Sequence, residues 1–92
     1  MNTRTEILNT AKQYTTVDRA STHGGAEDSF RTIADMWTAY LGAPVSEADV
    51  CAMMVLLKIA RIKGNPEHTD SWVDVAGYAA LGGEIAAPKA KP

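Results

Sequence analysis

A chain of 92 residues, of which 46% are hydrophobic and 22% charged, has the size and composition of one ordinary globular domain. Its net charge is −2 and its Lys and Arg residues are scattered, which argues against nucleic acid as a partner. No apolar stretch approaches the roughly 20 residues of a membrane span, and the N-terminus lacks a signal-peptide core. We therefore expect a cytoplasmic protein without membrane attachment.

Apolar residues at helical spacing divide the chain into four segments, and no strand pattern is present. The predicted helices cover residues 3–17, 26–41, 47–63 and 69–81. The three connections are short, and each of them carries Gly or Pro, as in "GAPVS". Short loops between amphipathic segments favour an all-α fold, a small antiparallel four-helix bundle. The domain is predicted to span residues 1–85, followed by a flexible tail over 86–92.

Local signals mark several helix ends. Gly42 follows the second helix at a position that favours a left-handed residue. Ser46 and Asp49 have the spacing of a capping box at the start of the third helix. The pair Gly82-Gly83 is expected to end the fourth helix.

The third helix, "VCAMMVLLKIARI", is apolar almost all round. Such a helix is typically central, with neighbours on several sides. Its Cys51 is therefore expected to be a buried thiol rather than a nucleophile. Because a domain of this size buries only a modest share of its surface, we also expect a homo-oligomer.

Lys58 and Arg61 are the only charges of that helix between Val50 and Ile62, and they share one face. A guanidinium binds phosphate or carboxylate through two parallel hydrogen bonds, which makes both residues candidate ligand-binding groups. Two structural alternatives stay open: the side chains extend to water, or Arg61 pairs with an acid of the fourth helix.

Asp70 and Asp74 lie one turn apart on the fourth helix. Two carboxylates at this spacing can hold Mg²⁺, which in proteins typically binds one or two carboxylates together with substrate phosphates. The alternative is that the acids complement the positive end of the helix dipole, which suits Asp70 better than Asp74.

Two further groups complete the candidate site. Glu27 and Asp28 follow the glycine-rich turn "HGG" and could contribute to the Mg²⁺ site, although complementation of the helix dipole is the favoured explanation for both. Trp72 and Tyr78 are the aromatic residues that could stack on a base, whereas Trp37 is expected in the core.

The segments "DR", "HGG", "EDSF", "IADMW", "LKIAR" and "DSWVDVAGYAAL" together resemble a phage- and prophage-encoded family of small, uncharacterised helical proteins. The resemblance covers about residues 18–81. His23 stands where that pattern has Tyr, and it is included among the candidate ligand-binding residues. More loosely, the pattern is similar to the nucleotide modification-associated domains of phages.

The chain also has a distant similarity to the all-α nucleotide pyrophosphohydrolases of the MazG and dimeric dUTPase type. That similarity implies helical oligomers that hold Mg²⁺ between an E-E-x-x-E helix and an E-x-x-D helix. In this chain Glu27-Asp28 could stand for the first acids, but Arg31 and Thr32 follow, and Asp70 and Asp74 lie four residues apart instead of three. Catalysis by that mechanism therefore does not follow from the similarity.

The leading hypothesis is a phage or prophage protein that binds a nucleotide or a nucleotide-like phosphate compound, with Mg²⁺ as the implied cofactor. Hydrolysis in the manner of a pyrophosphohydrolase is the catalytic form of this hypothesis. The alternative is a non-catalytic protein that sequesters a nucleotide signal or binds a host protein. In that case the charged residues form a structural salt-bridge network.

Overall fold

Four α-helices make up the part of the chain that this computed structural model describes, which is residues 3–18 and 26–88. The helices are α1 (Arg4–Gln13), α2 (Ala26–Leu41), α3 (Glu47–Gly64) and α4 (Thr69–Ala86), with a π-helical turn, Tyr14–Asp18, after α1. No strand occurs in these ranges, which confirms the all-α class. The described helices include none that combines the length and the hydropathy of a transmembrane span.

The end of α1 departs from the single helix predicted over residues 3–17. The Thr15 hydroxyl donates to the carbonyl of Ala11 at 2.9 Å, and the Thr16 hydroxyl donates to that of Lys12 at 2.6 Å. A hydroxyl bonded to the carbonyl four residues earlier competes with the backbone N–H for that acceptor. The hydrogen-bond ladder therefore widens into a π turn here.

Capping interactions start α1 and α3, and a glycine ends α2. The Glu6 N–H donates to the Thr3 hydroxyl at 3.2 Å, and the Asp49 N–H donates to the Ser46 hydroxyl at 3.0 Å. In return, the Ser46 N–H donates to the Asp49 carboxylate at 2.9 Å, which confirms the predicted capping box. Gly42 follows α2 with a φ of 67°, the left-handed conformation that glycine adopts without a Cβ penalty.

The capping box makes the stabilising contribution of Asp49 depend on pH. Hydrogen bonds from the Ser46 backbone, and secondly from its side chain, hold the pKa of the Asp49 carboxyl below its ordinary value of 3.8. The lowered pKa means that the carboxylate stabilises the folded state above about pH 4. This contribution is lost as the pH falls through the lower folded-state value.

We expect Asp49→Asn to unfold at a lower urea concentration than the wild type at pH 7. The difference should shrink as the pH falls below 3.8 and through the lower folded-state pKa, because the wild-type carboxyl is then also protonated. Urea unfolding followed by circular dichroism at pH 7 and at a series of acidic pH values measures it. Asp35→Asn, in the middle of α2, is the control and should lie within about 0.5 kcal/mol of the wild type at pH 7. A difference at position 49 that is unchanged in acid would contradict this account.

Helices α3 and α4 form an antiparallel hairpin. Lys58 in α3 contacts Asp74 in α4, and Cys51, earlier in α3, lies against Gly82, later in α4. The two contacts are therefore in antiparallel order along the helices. The antiparallel arrangement of all four helices stays a prediction.

The prediction that Gly82-Gly83 ends the fourth helix is wrong, because α4 continues to Ala86. A Cβ placed on Gly82 would lie 2.8 Å from the Cβ of Cys51. Glycine at position 82 thus allows α3 and α4 to approach closely instead of stopping the helix. Of the predicted tail, residues 89–92 lie outside the described part, and the domain boundary at residue 85 stays a prediction.

A small core forms where α2, α3 and α4 meet. Its buried members are Phe30, Ala34, Val50 and Cys51. The thiol of Cys51 is buried as predicted. Trp37 packs against this cluster, which confirms its expected core position.

Helix α3 is less enclosed than predicted. It packs against α2 and α4, yet one face that includes Met53, Leu56 and Ile59 is exposed. The prediction of neighbours on several sides is therefore wrong for this face. Apolar residues all round a helix indicate that its surface is stabilised by burial. They do not indicate whether the same domain or another protein buries it.

Candidate functional site

An ion pair between Lys58 and Asp74 joins α3 and α4. The Lys58 Nζ lies 2.9 Å from Asp74 Oδ2, and the two side chains are 18% and 25% exposed. A base of α3 thus meets an acid of α4, but the base is Lys58 and not the Arg61 considered from the sequence. Because each charge neutralises the other at hydrogen-bond distance, the pair can hold the helices in register without a ligand.

Arg61 and Asp70 do not join this pair. Both are exposed, and neither makes an ion pair within the residues that the structure describes. The alternative in which Arg61 pairs with an acid of α4 is not seen there, because Lys58 occupies that place. Three residues advance a helix by about 300°, so Arg61 is rotated by about 60° from Lys58, out of the interface.

The two aromatic candidates lie in different environments. The Tyr78 ring packs against the core, with its centroid 6.3 Å from that of Phe30 and an interplanar angle of 61°. Such edge-to-face contact is typical of aromatic pairs in protein cores. Trp72 is 46% exposed, and its Nε1–H donates to the Pro66 carbonyl at 2.9 Å. This hydrogen bond therefore joins the first turn of α4 to the loop that connects α3 and α4.

The remaining candidates are His23, Glu27 and Asp28. His23 is outside the described residues, and the side chains of Glu27 and Asp28 are also outside the described part. Among the side chains that are described, no group of three or more His, Cys, Asp or Glu residues could hold a metal ion. The Mg²⁺ site with Asp70 and Asp74 stays a prediction.

Sequence reasoning missed a groove between α1 and α4, with a volume of about 520 Å³. Its walls include Leu8, Thr15 and Ala80, with Lys12 and Glu84 as the charged members. The Thr15 hydroxyl is already bonded to backbone carbonyls. The groove is thus mainly apolar, with Lys12 and Glu84 as the charged side chains of its lining. No motif marks it, because it arises from the packing of two distant segments.

Large apolar side chains on the surface are the second feature that the sequence did not predict. Eleven of them, among the described residues, are 39–90% exposed. They are Leu8, Tyr14, Val17, Met36, Tyr40, Leu41, Met53, Leu56, Leu57, Ile59 and Trp72. Single exposed apolar residues are normal, but runs of them along one helix face mark interaction surfaces.

Comparison with known proteins gives a family and phage relatives. Residues 6–86 match the family described as "Domain of unknown function (DUF6378)". The Gene 55 protein of Mycobacterium phage L5 is 43% identical over 76 residues, which are 82% of this chain and 49% of the relative. The Gene 55 protein of Mycobacterium phage D29 is 40% identical over 73 residues, 79% of this chain and 48% of the relative.

The chain spans about half the length of these two relatives. No solved structure matches it. The family match begins within α1 and reaches the end of α4. The chain belongs to the DUF6378 family, a phage-encoded family of unknown function.

Proposed function

We propose that this chain is a non-catalytic phage protein that binds a host protein through apolar side chains on the outer face of α2. The observation that carries the proposal is the exposure of Met36 and Tyr40, one turn apart on α2, at 65% and 90%. Tyr is enriched among the residues that dominate protein–protein binding energy, and Met adapts to irregular surfaces.

The polar residues support a non-catalytic role. Lys58 and Asp74 neutralise each other at 2.9 Å, so neither offers an uncompensated charge to a phosphate or a cation. Tyr78 is half-buried and packs against Phe30, so its ring takes part in core packing. The charged set then acts as the structural network of the alternative hypothesis, reduced to one internal pair.

The exposed residues of α2 are next to residues that pack against the core. Ile33 and Trp37, next to Met36 and Tyr40 on the helix, are half-buried and pack against the core cluster. A partner that binds Met36 and Tyr40 would therefore contact side chains on a helix that is packed against the core. Pre-positioned aromatic anchors of this kind bind with a small loss of conformational entropy.

A second candidate function is binding of a nucleotide-like phosphate compound, as the nucleotide-domain and pyrophosphohydrolase similarities imply. Arg61 favours it, since its exposed guanidinium makes no ion pair or side-chain hydrogen bond within the described residues. Asp70, with Glu27 or Asp28, would hold Mg²⁺ in this case. The pyrophosphohydrolase form would further require that the Lys58–Asp74 pair open.

One experiment with two variants separates the functions. Tagged wild type, Tyr40→Ser and Arg61→Ala are used as baits in a host extract, and a captured protein is purified and titrated against each. We expect Tyr40→Ser to weaken its binding at least 10-fold, about 1.4 kcal/mol, and Arg61→Ala to leave it unchanged. Nucleoside mono-, di- and triphosphates with Mg²⁺ should neither raise the wild-type melting temperature nor be hydrolysed.

Two results would contradict the proposal. The first is that binding of every captured protein is the same for Tyr40→Ser as for the wild type. The second is a nucleotide-dependent rise of the melting temperature that Arg61→Ala abolishes, which would establish the second candidate instead. Circular dichroism of each variant excludes loss of fold as the cause.

A further inference from the structure

Seven exposed residues form one continuous face of α3, which we call the α3 stripe. At about 100° per residue they fall within an arc of about 120°, centred on Leu56. The stripe is about 21 Å long at 1.5 Å per residue. Its members are Asp49, Ala52, Met53, Leu56, Ile59, Ala60 and Lys63, all exposed.

The stripe has the same order of side-chain sizes in both directions from Leu56. Met53 and Ile59, both large and apolar, lie three residues before and after it, and Ala52 and Ala60 lie four residues away. At the two ends, seven residues from the centre, stand an acid, Asp49, and a base, Lys63. The apolar pattern is symmetric, and the end charges are opposite.

We propose that the α3 stripe is the contact face for a second copy of this chain, packed with its α3 antiparallel. A two-fold axis passes beside Leu56, so the leucines of the two copies meet on it. Met53 then faces Ile59 of the second copy, and each Ala52 faces an Ala60. The interface is isologous, as in most homodimers.

Charge complementarity selects both the occupant and its direction. In the antiparallel arrangement Asp49 of each copy meets Lys63 of the other, which gives two ion pairs at the rim. A parallel arrangement would place Asp49 against Asp49 and Lys63 against Lys63, which is unfavourable. The alanines near the centre leave room for the two backbones to approach, as small residues do at helix crossings.

The size of the core gives an independent reason for self-association. Among the described residues only six hydrophobic side chains are buried, whereas eleven large ones are 39–90% exposed. A small domain gains stability when it covers such a face. This proposal uses α3 only, so it stands whether or not a partner protein binds to α2.

Analytical ultracentrifugation of the intact chain tests the dimer. We expect a species of twice the 9.8 kDa chain mass at micromolar concentration. Leu56→Glu places two like charges on the axis, and its dissociation constant should rise at least 100-fold. Leu8→Glu is the matched control, since Leu8 on α1 is 62% exposed and Leu56 is 64% exposed; it should leave the mass unchanged.

Cysteine cross-linking tests the direction of packing. Leu56→Cys should form an intermolecular disulfide under mild oxidation, because the two positions meet on the axis. An equimolar mixture of Asp49→Cys and Lys63→Cys should form the mixed disulfide in preference to either homodimer. A monomer at all concentrations would overturn the proposal, and so would preferential cross-linking of position 49 to itself. Circular dichroism verifies that each variant is folded.

Discussion

Gly82→Ala is expected to destabilise the protein by about 1–3 kcal/mol, whereas the same change at the neighbouring Gly83 should stabilise it by about 0.5–1 kcal/mol. A Cβ at position 82 would lie 2.8 Å from the Cβ of Cys51, which is in the buried core. A Cβ at position 83 would have nothing within 4 Å. Both glycines are in α4, so their helix propensities are matched and only the packing differs.

Urea unfolding of the two variants measures these free energies, provided that the transition is two-state. Cys51→Gly removes the atom that the new alanine would meet. In that background Gly82→Ala should therefore change sign and become stabilising. Equal stabilisation by both alanines in the wild-type background would contradict the close approach of α3 and α4.

The helix limits that sequence predicts well are those set by local chemistry. The Ser46–Asp49 capping box and the left-handed Gly42 depend only on residues within one turn. Both are visible in the sequence and both are present in the structure. The limits of α2 agree with the predicted range for the same reason.

The features that sequence missed depend on contacts between distant segments. In the sequence alone, Gly82 predicts a helix end. Only the structure shows that it lies against Cys51. Lys58 and Arg61 are equivalent in sequence, and only the rotation of α3 against α4 decides which of them meets Asp74. The exposed face of α3 could not be predicted, because hydrophobicity does not distinguish burial in the domain from burial in an assembly.

The proposed functions depend on exposed apolar surfaces and not on polar groups. The charges that suggested a phosphate site are partly used within the fold, at Lys58 and Asp74. The apolar residues that suggested a fully enclosed helix are partly open to solvent. Two of the charges hold α3 and α4 in register, and apolar faces are exposed. Such a protein is suited to protein–protein contacts, which are proposed with a host protein at α2 and with a second copy of this chain at α3.

Removing either partner of the Lys58–Asp74 pair should destabilise the protein by about 1–3 kcal/mol, because the other charge is then left partly buried and without its partner. Full burial would raise this to about 3–5 kcal/mol, but exposures of 18% and 25% place the pair below that limit. Lys58→Met keeps most of the side-chain volume, and Asp74→Leu replaces the carboxylate with an apolar group of similar size.

The double variant Lys58→Met/Asp74→Leu should lie within about 1 kcal/mol of the wild type, since the attraction of a buried pair is largely offset by desolvation. The coupling energy of the cycle, which is the sum of the two single losses minus the loss of the double variant, is then at least about 1 kcal/mol. Arg31 and Glu47 form the control pair, 3.6 Å apart and 62% and 28% exposed. Its coupling should stay below about 1 kcal/mol and weaken in salt. If the two couplings are equal, the Lys58–Asp74 pair does not hold α3 and α4 in register, and both residues become available again for a ligand.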